Sequence, residues 1–212
     1  MNALQAVADI AEEGISCLRC GDAGTLRIPG EMALYTRCSC RRRVRGVPRP
    51  RLTDTFETFR ATDANRKAYI RVQAVAKGRE WSAFLTGDYG TGKTHLAIAA
   101  LNAAGAGNFW KVPAYLDYVR FCIHDRELPQ AQVISDTADD PDLVVFDDLG
   151  VEKRTEWAGE VLYRVLDRRC DLQLPTIITS NVALSSLDGR LVSRYATGLV
   201  VCAGRDARRS QV

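Results

Sequence analysis

The residues with the most legible chemistry lie between 87 and 94. Gly87-Asp88-Tyr89-Gly90-Thr91-Gly92-Lys93-Thr94 fits the pattern GxxxxGK[ST] in full. Glycines reach positive φ without steric penalty, so successive backbone N–H groups can curl around an anion. Lys93 adds a charge long enough to reach the β and γ phosphates of a nucleotide, and the Thr94 hydroxyl suits Mg²⁺. His95 follows directly and is counted with the loop, although it and His124 read as structural rather than catalytic. Leu143-Val144-Val145-Phe146-Asp147-Asp148 supplies a second half: a buried strand that ends in two acids. In open α/β sheets ligands sit at the carboxyl edge, where such acids emerge. Asp147 there holds the Mg²⁺ shell, and Asp148 orients or deprotonates an attacking water. Asn181, at the end of Thr176-Ile177-Ile178-Thr179-Ser180-Asn181, can donate a hydrogen bond to the γ-phosphate or the water; a plain turn is the other reading. Arg190 and Arg194 stand four apart, on one face of a short helix. An arginine placed there can neutralise charge on a neighbouring subunit's γ-phosphate, although ordinary surface arginines remain the simpler reading of the spacing.

Cysteine marks a second centre. Cys17 and Cys20, then Cys38 and Cys40, form two close pairs within 24 residues. Two thiolate pairs brought together by a hairpin satisfy tetrahedral Zn²⁺, and four protein ligands make such a site structural. A segment this small needs the metal for much of its folding free energy. Buried thiols or a redox pair are the alternatives. Cys122, Cys170 and Cys202 sit in apolar patterns and read as core residues.

The elements that must carry these groups alternate. Residues 65–77 read as a helix ended by Gly78, 81–86 as a strand, 93–104 as a helix stopped by Gly105, and 108–112 as a strand. Pro113 opens a helix to about 125, and residues 126–141 look irregular. Strands follow at 143–146, 176–179 and 198–201, with a helix between the first two whose face runs Trp157, Val161, Leu162, Val165, Leu166. Short, continuously apolar strands between helices predict an α/β fold with a parallel five-stranded sheet covered on both faces, and the GxxxxGK[ST] loop after one of those strands makes it the P-loop NTPase type. Residues 1–14 read as a short amphipathic helix, and Arg41 to Leu52, with two prolines and a glycine, as an extended linker. The predicted division is an N-terminal zinc-binding segment with basic linker over 1–50 and an ATPase domain over 51–212.

Composition narrows the class. The chain has 212 residues, 46% hydrophobic and 26% charged, enough for a packed core and against general disorder. No apolar run approaches the roughly 20 residues that span a bilayer, and the acidic start lacks a secretory signal, so a cytoplasmic protein without membrane contact is expected. The net charge of +3 hides an asymmetry: seven arginines and no acid lie between 37 and 51, and without them the chain stands at −4. That local excess suits an acidic or phosphate-bearing partner, or simply a solvated linker.

Together, Thr55-Phe56-Glu57-Thr58-Phe59, the loop 87–97, Leu143 to Gly150, Thr176 to Asn181 and Arg190 to Tyr195 resemble the AAA+ ATPases of the DnaC/IstB-like helicase-loader family, over about 160 residues. The N-terminal cysteine segment is similar to that of several bacterial and phage members. The resemblance implies ATP with Mg²⁺ as ligand, Asn181 at the sensor position and Arg194 as an arginine finger acting in trans. It also implies that Phe56 and Phe59 pack near the adenine. It further implies a self-assembling oligomer, single-stranded DNA and a replicative ring helicase as partners. Residues 114–135, with Lys111, Arg120 and Arg126, occupy the place of the family's DNA-contacting helices. Two departures stand out. Asp148 replaces the glutamate of many AAA+ proteins, which implies slow hydrolysis, and the chain leaves no room for a helical lid, so Arg205, Arg208 or Arg209 are the remaining candidates for its sensor arginine. An IstB-like transposition regulator and an ATP-gated adaptor with little turnover are the alternative readings.

Overall fold

The computed structural model describes residues 25–27, 35–37, 43–124, 126, 128–153 and 155–204. The helix expected over 1–14, the four cysteines at 17, 20, 38 and 40, and Arg205, Arg208 and Arg209 lie outside the described residues.

Strands β1 (Thr25–Arg27) and β2 (Tyr35–Arg37) pair antiparallel, with Thr25 opposite Arg37. The others are β3 (Arg43–Arg45), β4 (Ser82–Thr86), β5 (Ala106–Lys111), β6 (Leu143–Asp147), β7 (Thr176–Ser180) and β8 (Leu199–Val201). They form one sheet in the order β3-β5-β6-β7-β4-β8, parallel throughout. The helices are α1 (Arg66–Ala76), α2 (Lys93–Ala104), α3 (Val112–His124), α4 (Gln130–Ala138), α5 (Glu156–Asp171) and α6 (Gly189–Arg194).

Side chains alternate across the pleat, which separates two cores. Ala83, Leu85, Val145 and Ile177 pack with α1 and α2 on one face. Phe84, Val144, Phe146 and Ile178 pack with α3, α4 and α5 on the other. All five residues of β4, β6 and β7 are buried; apolar side chains fill their centres, and the polar ones, Ser82, Thr86, Asp147, Thr176, Thr179 and Ser180, lie at or next to their ends.

Two expectations need correction. The sheet has six strands, not five, because Arg43–Arg45 of the arginine tract joins it beside β5, from Arg43↔Ala106 to Arg45↔Asn108. An edge strand needs one hydrogen-bonded neighbour only and tolerates charged side chains. Gly46 then turns the chain at φ +78°, where a Cβ would meet the Phe109 carbonyl oxygen at 2.1 Å. The stretch read as irregular contains α4, whose Val133, Ile134, Thr137 and Ala138 are buried. Over nine residues the three-and-four spacing is too short to stand out from its polar neighbours, and packing against α5 decides it.

At the amino-terminal edge of the sheet, Arg169 of α5 is fully buried. Its Nε donates to Thr176 Oγ1 at 3.0 Å. One terminal nitrogen donates to the carbonyls of Thr137 (2.8 Å) and Asp140 (2.9 Å), the other to those of Asp142 (3.1 Å) and Pro175 (2.8 Å). All five donors of the guanidinium are used, and they tie α4, the entry to β6 and the entry to β7 to one helix.

Candidate nucleotide site

Strand β4 delivers the chain into the 87–92 loop at the carboxyl edge of the sheet, and α2 takes it away. Gly87, Gly90 and Gly92 adopt φ of 137°, 75° and 94°. At Gly87 the approach is tight as well, since a Cβ would lie 2.4 Å from the Cys202 carbonyl oxygen. Lys93 is buried, and its Nζ donates to the loop's own carbonyls, Gly87 at 2.8 Å and Asp88 at 2.7 Å, and to Thr91 Oγ1 at 3.3 Å. Burial lowers its pKa, and the nearby Cys202, Asp148, Asp147 and Asp88 work against that.

Asp147 ends β6 with 1% of its surface exposed. Its Oδ1 accepts from Thr94 Oγ1 at 2.9 Å and from Thr179 Oγ1 at 2.8 Å. Burial pushes its carboxyl pKa up, and the two hydroxyls draw it back. Asp148 has φ +64°, a left-handed turn that carries its carboxylate away from the strand direction. Its N–H donates to Thr179 Oγ1 at 3.0 Å, and its Oδ1 accepts from Asn181 Nδ2 at 2.6 Å. Thr179 thus braces both acids, a role the sequence analysis did not assign. Its only signal there was a polar residue at the end of an apolar strand.

Lys93, Thr94, Asp147 and Asp148 line one cleft of about 500 Å³, together with Tyr89, Gly90, Gly92, His95, Arg51, Lys111 and Asn181. The Thr94 hydroxyl and the Asp147 carboxylate form an oxygen donor pair that fits Mg²⁺. A ring of positive-φ glycines at the start of a helix fits a polyphosphate.

Of the other expected residues, His95 and Lys111 line the cleft, whereas Phe56, Phe59, Arg120, Arg126, Arg190 and Arg194 are not part of its lining. His95 Nε2 lies 2.9 Å from the Thr55 carbonyl oxygen, so this side chain ties the 47–59 strap to α2. Asn102 completes that tie, donating to the carbonyls of Leu52 (3.2 Å) and Asp54 (2.8 Å). Phe59 stacks on Tyr69, meets His95 edge-on and closes over Gly92, while Phe56 meets Tyr69 edge-on. Arg194 pairs with Asp167 and Asp171 of α5. Arg190 pairs with Asp188 at 2.7 Å and lies over Tyr163. Lys111 ends β5 at the cleft. Arg120 pairs with Asp117 and covers Trp157, and Arg126 lies over Phe121.

A parallel sheet with a glycine loop, a buried strand-end aspartate and an asparagine on the adjacent strand defines an AAA+ ATPase domain. The chain belongs to the bacterial DnaA ATPase domain family, matched over residues 51–202. It is 28% identical over 146 residues to the replicative helicase loader DnaI of Bacillus subtilis, covering 63% of this chain and 45% of that protein. Its fold matches that of a replication initiator DnaA bound to AMPPCP and single-stranded DNA (24% identity, TM-score 0.61, 69% of this chain and 49% of that one). It also matches that of a DnaC helicase loader (21% identity, TM-score 0.60, 73% and 98%). The chain spans less than half the length of the curated relatives it matches.

Proposed function

We propose that this protein is an ATP-dependent loader of a replicative ring helicase, acting in the cytoplasm on single-stranded DNA. The observation that carries the reading is the convergence of Lys93, Thr94, Asp147, Asp148 and Asn181 on one cleft. In the ATP-bound protein the loop amides and Lys93 hold the phosphates. Thr94 and Asp147 would hold Mg²⁺, which would supply charge neutralisation at the phosphates. Asp148 takes a proton from water as its oxygen attacks the γ-phosphorus. The bond to the β–γ bridging oxygen breaks, and ADP and phosphate result. The short arm of Asp148 and its bond to Asn181 support slow turnover, and also favour the second reading of a nucleotide-gated adaptor. Arg194 is assigned to a neighbour's phosphates in an ATP-dependent oligomer.

A surface on α3 supports the DNA part of the reading. Tyr118 and Phe121 are exposed on α3, with Arg126 over Phe121. Exposed aromatic rings next to guanidinium groups suit stacked bases and phosphates. The antiparallel register of β1 and β2 supports the zinc reading, because Cys17 and Cys20 precede one strand and Cys38 and Cys40 follow the other.

Binding of a labelled oligo-dT, with and without ATP, tests this proposal. Phe121→Ala should weaken binding by roughly ten- to a hundredfold, the scale of one stacked base. Lys93→Ala should abolish the ATP response. Co-purification with the host's or phage's replicative helicase, with zinc measured in the same sample, tests the partner and the metal. No ATP binding by the wild type would overturn the reading.

A further inference from the structure

We propose that Arg51 senses the terminal phosphate of the bound nucleotide in cis, exchanging the carboxylate of Asp54 for γ-phosphate oxygen. The inference deepens the ATP-binding reading above and rests on it. Arg51 comes from the tract whose charge reads from sequence as a linker or a partner contact. The structure gives it another place. β3 pins the start of the tract to the sheet edge, Gly46 turns it, and a 3-10 turn (Arg49–Arg51) brings Arg51 to the cleft that Lys93, Thr94 and Asp147 also line.

The residue is held ready rather than locked. Its Nε donates to Asp54 Oδ2 at 2.7 Å, and a terminal nitrogen lies 2.7 Å from the same oxygen. Its side chain stays 36% exposed, so the Asp54 pair is a partly solvated one, weak enough to exchange. A guanidinium offers a planar fork that matches phosphate oxygens and cannot lose its charge. A triphosphate adds a charged group at the outer end of the chain, where a diphosphate has none. The strap that carries Arg51 is fastened to α2, the helix that follows the phosphate loop, through His95 and Asn102. Engagement of Arg51 therefore alters the tension on the one segment that joins the N-terminal region to the ATPase core.

The test is equilibrium titration of the full chain with a fluorescent non-hydrolysable ATP analogue and with the matching ADP, each with Mg²⁺, for wild type, Arg51→Gln and Asp54→Asn. Arg51→Gln should lose roughly ten- to a hundredfold in affinity for the triphosphate and about twofold or less for the diphosphate. Asp54→Asn, which removes the competing carboxylate, should tighten the triphosphate and leave the diphosphate unchanged. Equal loss of both nucleotides in Arg51→Gln would show that the residue only braces the strap, and no loss of either would show that it does not touch phosphate. Either result overturns the proposal. A wild type that binds neither nucleotide would instead overturn the ATP reading beneath it.

Discussion

Replacing Arg169 with methionine should remove the main fastening of the sheet's amino-terminal edge. The side chain spends five donors on four backbone carbonyls and one hydroxyl, all inside the protein. Thr176 keeps a partner after the change, because its hydroxyl also donates to the Leu174 carbonyl at 2.8 Å. The carbonyls of Thr137, Asp140, Asp142 and Pro175 lose a charged donor. Summing nominal bond energies would overshoot, because the buried guanidinium is itself costly to desolvate, which draws its pKa down to about 10. Each buried carbonyl left without its donor costs about 1–3 kcal/mol, and with the relief of guanidinium desolvation set against four of them the net loss is about 3–5 kcal/mol. For a chain of this size each kcal/mol shifts Tm by roughly 2–4 °C, so a fall of about 6–20 °C is expected. Arg169→Lys should be nearly as damaging, since an ammonium has three donors and no fork. Melting of the nucleotide-free protein, followed by far-UV circular dichroism, measures the effect. Nucleotide affinity well below the melting temperature should be unchanged, because the phosphate loop lies at the opposite edge. A Tm of Arg169→Met within about 2 °C of wild type would refute the reasoning.

Three further outcomes are expected. Asp147→Asn should raise the Tm of the nucleotide-free protein while abolishing Mg²⁺-dependent turnover. Burial raises the Asp147 pKa above its ordinary 3.8, so the fold holds its proton more tightly than the unfolded chain does. Wild-type stability from this group therefore rises as pH falls through that raised pKa, and melts of the variant should lack this contribution. Thr179→Val should leave ATP binding within about threefold of wild type but slow phosphate release, because both acids lose the hydroxyl that braces them while the phosphate loop is untouched. Gly107→Ala should yield poorly folded protein, visible as a lost cooperative melt. Its φ is +138°, and a Cβ would lie 2.1 Å from the Leu143 carbonyl oxygen, between β5 and β6.

The amino-acid sequence by itself determined the parts of this protein that local chemistry specifies. The run from Gly87 to Thr94 marks a phosphate loop because only that arrangement of glycines, lysine and threonine does that work. The short strands at 82–86, 143–147 and 176–180, apolar at their centres and buried along their length, mark a parallel sheet covered on both faces. Asp147, Asp148 and Asn181 follow from standing at the ends of such strands. The tertiary structure alone decided where side chains without a local pattern go. Arg45 and Arg51 look alike in a basic tract, yet one lies in an edge strand and the other lines the cleft, because pairing with β5 and the turn at Gly46 separate them. Arg169 reads as one more charged residue near a helix end, and only the convergence of carbonyls from three other elements makes its burial tolerable. Thr179 likewise braces two acids on a strand more than thirty residues away in sequence. Contacts of that separation depend on strand order, and strand order is set by how the helices pack on the two faces, not by any neighbouring residue.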